Sequence, residues 1–91
     1  MIKKVGYVSP KERDQIQILF ERKNGLMELA KILTPENDVL YEKLVKDLGD
    51  TTAKFQLWWT QMSHKYNWES SINGNWEINF DTCEIFLITN D

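Results

Sequence analysis

A single histidine and a single cysteine are the residues in this sequence best suited to acid–base or nucleophilic chemistry near neutral pH. His64 could act as a general base and Cys83 as a nucleophile if the fold brought the two side chains together. Nothing in their spacing indicates this, since His64 has polar neighbours and Cys83 precedes an apolar run typical of a strand. We therefore expect no catalytic pair, and one cysteine with one histidine cannot by themselves form a Cys/His zinc site.

The sequence also lacks the short motifs that mark several large classes of enzyme. It contains no glycine-rich phosphate loop, no HExxH, no CxxxCxxC and no Gly-x-Ser-x-Gly. These absences favour a binding or accessory role over catalysis. They also give no reason to expect a cofactor or a metal ion.

Aromatic residues are concentrated in the stretch KFQLWWTQMSHKYNWE, residues 54–69. Three members recur at helical spacing and are expected in the core: Phe55, Trp58 and Met62. Three others project beside that stripe, because consecutive helical residues point about 100° apart: Trp59, Tyr66 and Trp68. Exposed aromatic residues are typical of binding hot spots, so we predict that this second set forms an apolar rim that binds a partner. The alternative is that these aromatics pack beneath the C-terminal sheet.

Charge and composition exclude several classes of partner. The 91 residues carry a formal net charge of −3, which opposes the electrostatic attraction that supplies most nucleic-acid binding. No apolar run approaches the roughly 18 residues of a membrane span, and the start MIKKVGYVSP lacks the long apolar segment of a signal peptide. One cysteine leaves no internal disulfide, which suits a reducing compartment. We expect a cytoplasmic protein that binds neither nucleic acid nor membranes.

The first helix is predicted from its start signal and its apolar period. In SPKE, Ser9 can cap the helix and Glu12 occupies the return position of a capping box. Apolar residues then recur at steps of three and four: Ile16, Leu19, Phe20, Leu26, Met27, Ala30 and Leu33. The same phase resumes after Gly25, which favours one continuous helix over residues 9–33.

A second, longer helix should follow the polar stretch LTPEND, in which Thr34 can act as its cap. Its stripe is the most regular pattern in the chain: Tyr41, Leu44, Leu48, Thr51, Phe55, Trp58 and Met62. This stripe predicts a helix over residues 35–66 with at most a bend at Gly49. Because the connection is short, the two helices should form an antiparallel hairpin.

After Trp68 the apolar period shortens to two residues. Asn73-Gly74 is a strong signal for a two-residue hairpin turn, and three residues alternate with polar ones behind it: Trp76, Ile78 and Phe80. A turn at Asp81-Thr82 then leads into CEIFLI, which places three residues on one strand face: Cys83, Ile85 and Leu87. The N-terminal stretch IKKVGYV could add an edge strand.

These elements predict one α+β domain over residues 1–91, an antiparallel helical hairpin followed by a small antiparallel sheet. Its expected core consists of nine residues: Leu19, Leu26, Leu44, Leu48, Phe55, Trp58, Met62, Ile78 and Ile85.

Four stretches, spread over nearly the whole chain, resemble the CXXX repeat peptide modification system proteins: ERDQIQILFERKNGLMELAKIL, LYEKLVKDLGDTTAKFQLWW, KYNWE and WEINFDTCEIFL. The resemblance implies a small bacterial accessory protein, encoded beside a Cys-repeat precursor peptide and a radical S-adenosylmethionine maturase. It implies binding to the maturase, the precursor or both, with the chemistry performed by the partner. No functional residues follow from the resemblance, and the chain has no Cys-x-x-x repeat that would make it the precursor itself. A homodimer built on the regular helical stripe is the alternative function.

Overall fold

The computed structural model describes residues 1–33, 36 and 38–90. Within these residues the elements follow the order β1 (Ile2–Tyr7), α1 (Pro10–Ile32), α2 (Asp38–Tyr66), β2 (Asn75–Ile78) and β3 (Glu84–Ile88). The predicted α+β class is confirmed, and the N-terminal stretch does form a strand. The predicted cap at Thr34 lies outside the described residues.

Helix α1 begins where the capping box predicts. The backbone amide of Ser9 donates to Glu12 Oε1 at 2.9 Å, and the amide of Glu12 donates to Ser9 Oγ at 3.1 Å. Both amides would otherwise lack a partner inside the helix. The two helices continue through Gly25 and Gly49 without a break, as predicted. Neither helix in the described part of the chain has a stretch long and apolar enough to cross a membrane.

The two helices pair in antiparallel fashion, as predicted from the short connection between them. Glu12, near the start of α1, binds Lys65 near the end of α2. Farther along α1, Arg22 Nε donates to Thr51 Oγ1 at 3.3 Å, and Lys23 Nζ lies 4.9 Å from the centre of the Phe55 ring.

Residue contacts divide the chain into two compact units. We call Ile16–Trp58 the helix unit, and we call Met1–Gln15 together with the chain from Trp59 onward the sheet unit. The first consists of parts of α1 and α2, and the second contains the remaining helical turns and all three strands.

The predicted core is only partly correct. Three of the nine expected residues are buried: Leu44, Trp58 and Ile85. The other six are half-buried: Leu19, Leu26, Leu48, Phe55, Met62 and Ile78. Among the described residues of the helix unit, only two helical segments are available for packing, so the residues along one line of contact are covered and their neighbours stay partly in water. The most buried side chains, Ile16 and Ile85, lie on stripes that the sequence pattern had identified.

Strand β3 is the centre of the sheet, with β1 on one side and β2 on the other, both antiparallel to it. The β1 register runs from Ile2 opposite Ile88 to Lys4 opposite Phe86, and then shifts between Lys4 and Gly6. Val5 is therefore an extra residue, which makes a β-bulge in this strand. The predicted face of β3 is confirmed, since its residues and the preceding cysteine are buried: Cys83, Ile85 and Leu87.

The predicted hairpin turn at Asn73-Gly74 is wrong. The Gly74 amide donates to Ser71 O at 3.0 Å in a turn that leads from α2 into β2, and no strand precedes this turn in residues 67–74. The hairpin joins β2 to β3 through the turn predicted at Asp81-Thr82, which is confirmed: Asn79 Oδ1 accepts hydrogen bonds from the amides of Asp81 and Thr82 at 2.9 and 3.3 Å. Beyond Ile78 the backbone of Asn79 still pairs with Glu84 O, and the side-chain closure of the turn follows directly. The strand therefore ends before Phe80, which we had expected to belong to it.

Candidate functional site

Four aromatic side chains, which we call the aromatic cluster, gather in the sheet unit: Trp59, Tyr66, Trp68 and Trp76. Trp68 is central to the cluster. Its ring stacks on Tyr66 with centroids 5.8 Å apart and planes 7° from parallel. Trp59 and Trp76 contact it edge to face, with centroid distances of 6.1 and 5.8 Å. The three residues predicted to bind a partner therefore lie together.

The sequence predicts that Trp68 belongs to an exposed rim. This prediction is wrong, because only 7% of the surface of Trp68 is accessible. The residue before it, Asn67, has a φ of 52°, a left-handed conformation that commonly ends a helix. Gly6 of β1 then allows a close approach, since a Cβ atom there would lie 2.9 Å from Trp68 Nε1. Trp68 is thus a core residue that supports the other three rings.

Trp59, Tyr66 and Trp76 are the members of the cluster that reach solvent. Tyr66 is 38% exposed, and the two tryptophans are half-buried. Trp76 Nε1 donates to Glu69 O at 2.9 Å, and the Tyr66 hydroxyl donates to Glu12 Oε1. Tyr66 and Trp76 thus each have both a ring contact with Trp68 and a hydrogen bond from their polar atom. Side chains ordered in this way lose little conformational freedom when a partner binds.

Sequence reasoning had assigned Trp76 to a strand but not to the site. The signal was present in the alternation of β2, which puts Trp76 on the same sheet face as its cross-strand neighbour Leu87. Because Leu87 is buried, that face is the one that packs inward. A tryptophan on the inward face of an edge strand can meet aromatic residues beyond the helix end.

Below Tyr66, a buried carboxylate anchors the cluster. Glu12 is 7% exposed, and its Oε2 accepts a hydrogen bond from Lys65 Nζ at 2.6 Å. Burial raises the pKa of this carboxyl, but hydrogen bonds from Lys65, Tyr66 and Ser9 together outweigh burial and lower the pKa to about 2. The hydrogen bond to Glu12 also raises the pKa of the Tyr66 hydroxyl. Glu12 is therefore ionised at neutral pH and serves as an acceptor rather than as a proton donor.

Two lysines of β1 form ion pairs with glutamates close to the aromatic cluster or on the neighbouring strand. Lys3 Nζ lies 2.9 Å from Glu69 Oε1, next to the carbonyl that accepts the Trp76 indole. Lys4 Nζ lies 3.5 Å from Glu84 Oε2 and donates to the Tyr7 hydroxyl at 2.6 Å. Both pairs are partly exposed, so their main effect is on orientation and not on stability.

The two residues with possible catalytic chemistry lie in different environments. His64 is exposed on α2, whereas Cys83 is buried and has a left-handed φ of 63° in the β2–β3 turn. No hydrogen bond joins these two side chains among the described contacts. The described residues also contain no group of three or more His, Cys, Asp or Glu side chains arranged to hold a metal ion.

Comparisons of the chain with protein-family models, with curated proteins and with solved structures gave no match.

Proposed function

We propose that this chain is a non-catalytic accessory protein in the modification of a ribosomally made peptide. It acts in the cytoplasm and binds a radical S-adenosylmethionine maturase, the precursor peptide of that maturase, or both. The partner performs the chemistry. The resemblance of four sequence stretches to the CXXX repeat peptide modification system proteins supports the biological setting.

The observation that carries the binding role is the packing of Trp59 and Tyr66 on buried Trp68. Interface hot spots are enriched in tryptophan and tyrosine, and they bind best when the rings are already ordered in the free protein. Here Trp59 meets Trp68 edge to face and Tyr66 stacks on it, while both remain partly open to solvent. This arrangement favours the aromatic cluster as the surface that contacts the partner.

The direct experiment is a binding titration of the chain with the maturase and the precursor peptide encoded beside it. We expect association with at least one of them at micromolar concentration. A buffer series of increasing salt should weaken binding only modestly, because aromatic contacts are less sensitive to screening than ion pairs. Failure to bind either partner at micromolar concentration would contradict the proposal.

Homodimerisation is a second candidate function, and one face of α2 in the helix unit favours it. Val45 is 53% exposed, and four positions that follow it on its side of the helix carry no charge: Gly49, Thr52, Ala53 and Gln56. Glu42, one turn earlier on the same side, is charged. Charged residues lie on the other side of the same helix: Lys43, Asp47, Asp50 and Lys54. Depletion of charge and small side chains both suit close packing of a second copy.

Light scattering over a range of protein concentrations tests this alternative. A dimer mass that falls to the monomer mass in Ala53→Glu, with Lys54→Glu as the control on the charged side, would support self-association. A monomer mass at the highest concentration would remove it.

A further inference from the structure

The sheet has two edges, β1 and β2, because β3 lies between them. The Asn79 amide donates to Glu84 O at 2.9 Å, which sets the hydrogen-bond phase of the β2–β3 hairpin. In an antiparallel pair this phase alternates, so Glu77 directs its backbone groups toward β3. Trp76 and Ile78 therefore direct their amide and carbonyl groups away from β3, toward the outer edge. No strand among the described residues pairs with that edge.

The two edges differ in how readily they could accept another strand. In β1 the bulge at Val5 interrupts the register, and Lys3 and Lys4 add positive charge. Bulges and lysines are the devices that commonly block pairing at exposed edges. Strand β2 pairs regularly over all four of its residues, and it contains no lysine and no proline. The β2 edge is therefore the one that remains open.

The side chains of β2 indicate the chemistry of a strand that could pair with it. Trp76 lies on the inward face beside Trp68, whereas Glu77 lies on the opposite face and is exposed. Among the described contacts Glu77 has no ion pair. Directly opposite residues of neighbouring strands share a face, so an incoming strand would place an apolar residue beside Trp76 and a basic residue beside Glu77.

A second copy of this chain fits the edge poorly. Antiparallel pairing of β2 with itself, using both outward residues, would be centred on Glu77. The two Glu77 residues would then face each other as a non-hydrogen-bonded pair with Cα atoms about 4.5 Å apart. Like charges directly opposite destabilise a sheet, so the edge favours a basic strand from another polypeptide.

We infer that the outer edge of β2 takes an extended partner segment in which basic and apolar residues alternate. The segment pairs with the outward backbone groups of Trp76 and Ile78, and its apolar side chains extend the aromatic cluster. The inference rests on the proposed function, because the partner bound by the accessory protein supplies this segment.

Amide hydrogen exchange measured by NMR tests the inference, with a nine-residue peptide of alternating lysine and valine as the probe. At saturation we expect the amides of Trp76 and Ile78 to exchange at least about tenfold more slowly, because they gain partners. The Glu77 amide, already directed toward β3, should change little. The β1 amides of Ile2 and Lys4 are the internal control and should keep their exchange rates.

A twin peptide with N-methylated valines is the matched control, since it keeps the charge and the side chains but cannot donate opposite Trp76 and Ile78. We expect it to bind at least about tenfold more weakly. Equal binding of the twin, protection of Ile2 and Lys4 instead, or no binding of either peptide would overturn the inference. The proposed function fails on a different result, the absence of association with both maturase and precursor. A chain that binds the maturase without protecting Trp76 and Ile78 keeps that function and loses this inference.

Discussion

The sheet unit and the helix unit bury apolar surface in different ways. In the sheet unit, Trp68 contacts three aromatic rings, and Glu12 accepts hydrogen bonds from side chains of α2. The helix unit has a narrow buried stripe and several exposed large apolar residues: Ile18, Met27, Leu29, Ile32, Val39, Leu40, Val45 and Leu57. The sheet unit therefore fixes individual side chains, whereas the helix unit mainly fixes the line along which two helices meet.

This difference bears on where the proposed partner would bind. Contacts with defined angles and hydrogen-bond partners hold Tyr66 and Trp76 in one arrangement, which is what an aromatic binding surface requires. Exposed apolar residues spread around two helices offer area without a fixed geometry. We therefore propose the sheet unit, rather than the helix unit, as the place where a partner would bind.

Removing the central ring of the cluster should have the largest effect. Trp68→Ala should lower the free energy of unfolding by about 3–5 kcal/mol, because it leaves a cavity under three aromatic neighbours. Trp58→Ala in the helix unit should cost a similar amount, since Trp58 is also buried. Urea unfolding measures the loss of stability in each variant. The two variants should differ in which part of the structure unfolds locally, which amide exchange measures.

Trp68→Ala should speed exchange mainly in β1 and β2, and Trp58→Ala mainly in the helix unit. If both variants opened the same amides, the distinction between the units would be lost. If either kept the wild-type unfolding free energy, its assignment to the core would be wrong.

Acid should act next most strongly, through Glu12. Its folded pKa of about 2 lies below the ordinary value of 4.5, so the stabilisation is present above pH 4.5 and is lost as the pH falls toward 2. The loss should be about 3 kcal/mol, because a tenfold change in proton affinity is worth about 1.4 kcal/mol. Denaturant unfolding at pH 7 and at pH 2.5 measures it.

Glu12→Gln is the matched variant, since glutamine can still complete the capping box with Ser9 but carries no charge. It should be less stable than wild type at pH 7 and should lose correspondingly less stability on acidification. The same loss in both proteins would show that other carboxyl groups cause it.

Two glycine substitutions sharpen the comparison with smaller effects of opposite sign. Gly6→Ala should destabilise the protein by about 1–3 kcal/mol, because the new methyl group would lie 2.9 Å from the buried Trp68 ring. Gly25→Ala should stabilise it by about 0.5–1 kcal/mol, since nothing lies within 4 Å and alanine favours a helix. Thermal melts of the two variants, with opposite shifts from wild type, would check both. A Gly6→Ala protein as stable as wild type would mean that Trp68 does not pack against β1.

Local signals in the sequence predicted much of this structure. The Ser9–Glu12 box fixes the start of α1 within four residues, and the unchanged apolar phase on both sides of Gly25 predicts one helix. The alternation in CEIFLI likewise predicts which side of β3 is buried. Each of these depends on neighbours in sequence, which a pattern records.

Long-range contacts explain what the pattern missed. Trp68 is buried because Gly6, at the other end of the chain, leaves room for its ring. Glu12 binds Lys65 and Tyr66, which are 53 and 54 residues away. The three residues proposed as a site do lie together, but the helical period alone could not show that Trp68 supports the site from within. Asn73 and Gly74 do lie in a turn, but this turn joins a helix to a strand, and the dipeptide alone does not distinguish that role from a hairpin.

The most direct test of recognition by the aromatic cluster is a titration of Trp59→Ala with the maturase and the precursor peptide, paired with a melting curve of the same protein. Leu57→Ala is the matched control, because Leu57 is an exposed apolar residue of the helix unit on the same helix. We expect Trp59→Ala to fold nearly as wild type and to bind about 1–3 kcal/mol more weakly, with Leu57→Ala unchanged in binding. Wild-type binding by a folded Trp59→Ala, or collapse of its fold, would contradict recognition by this cluster.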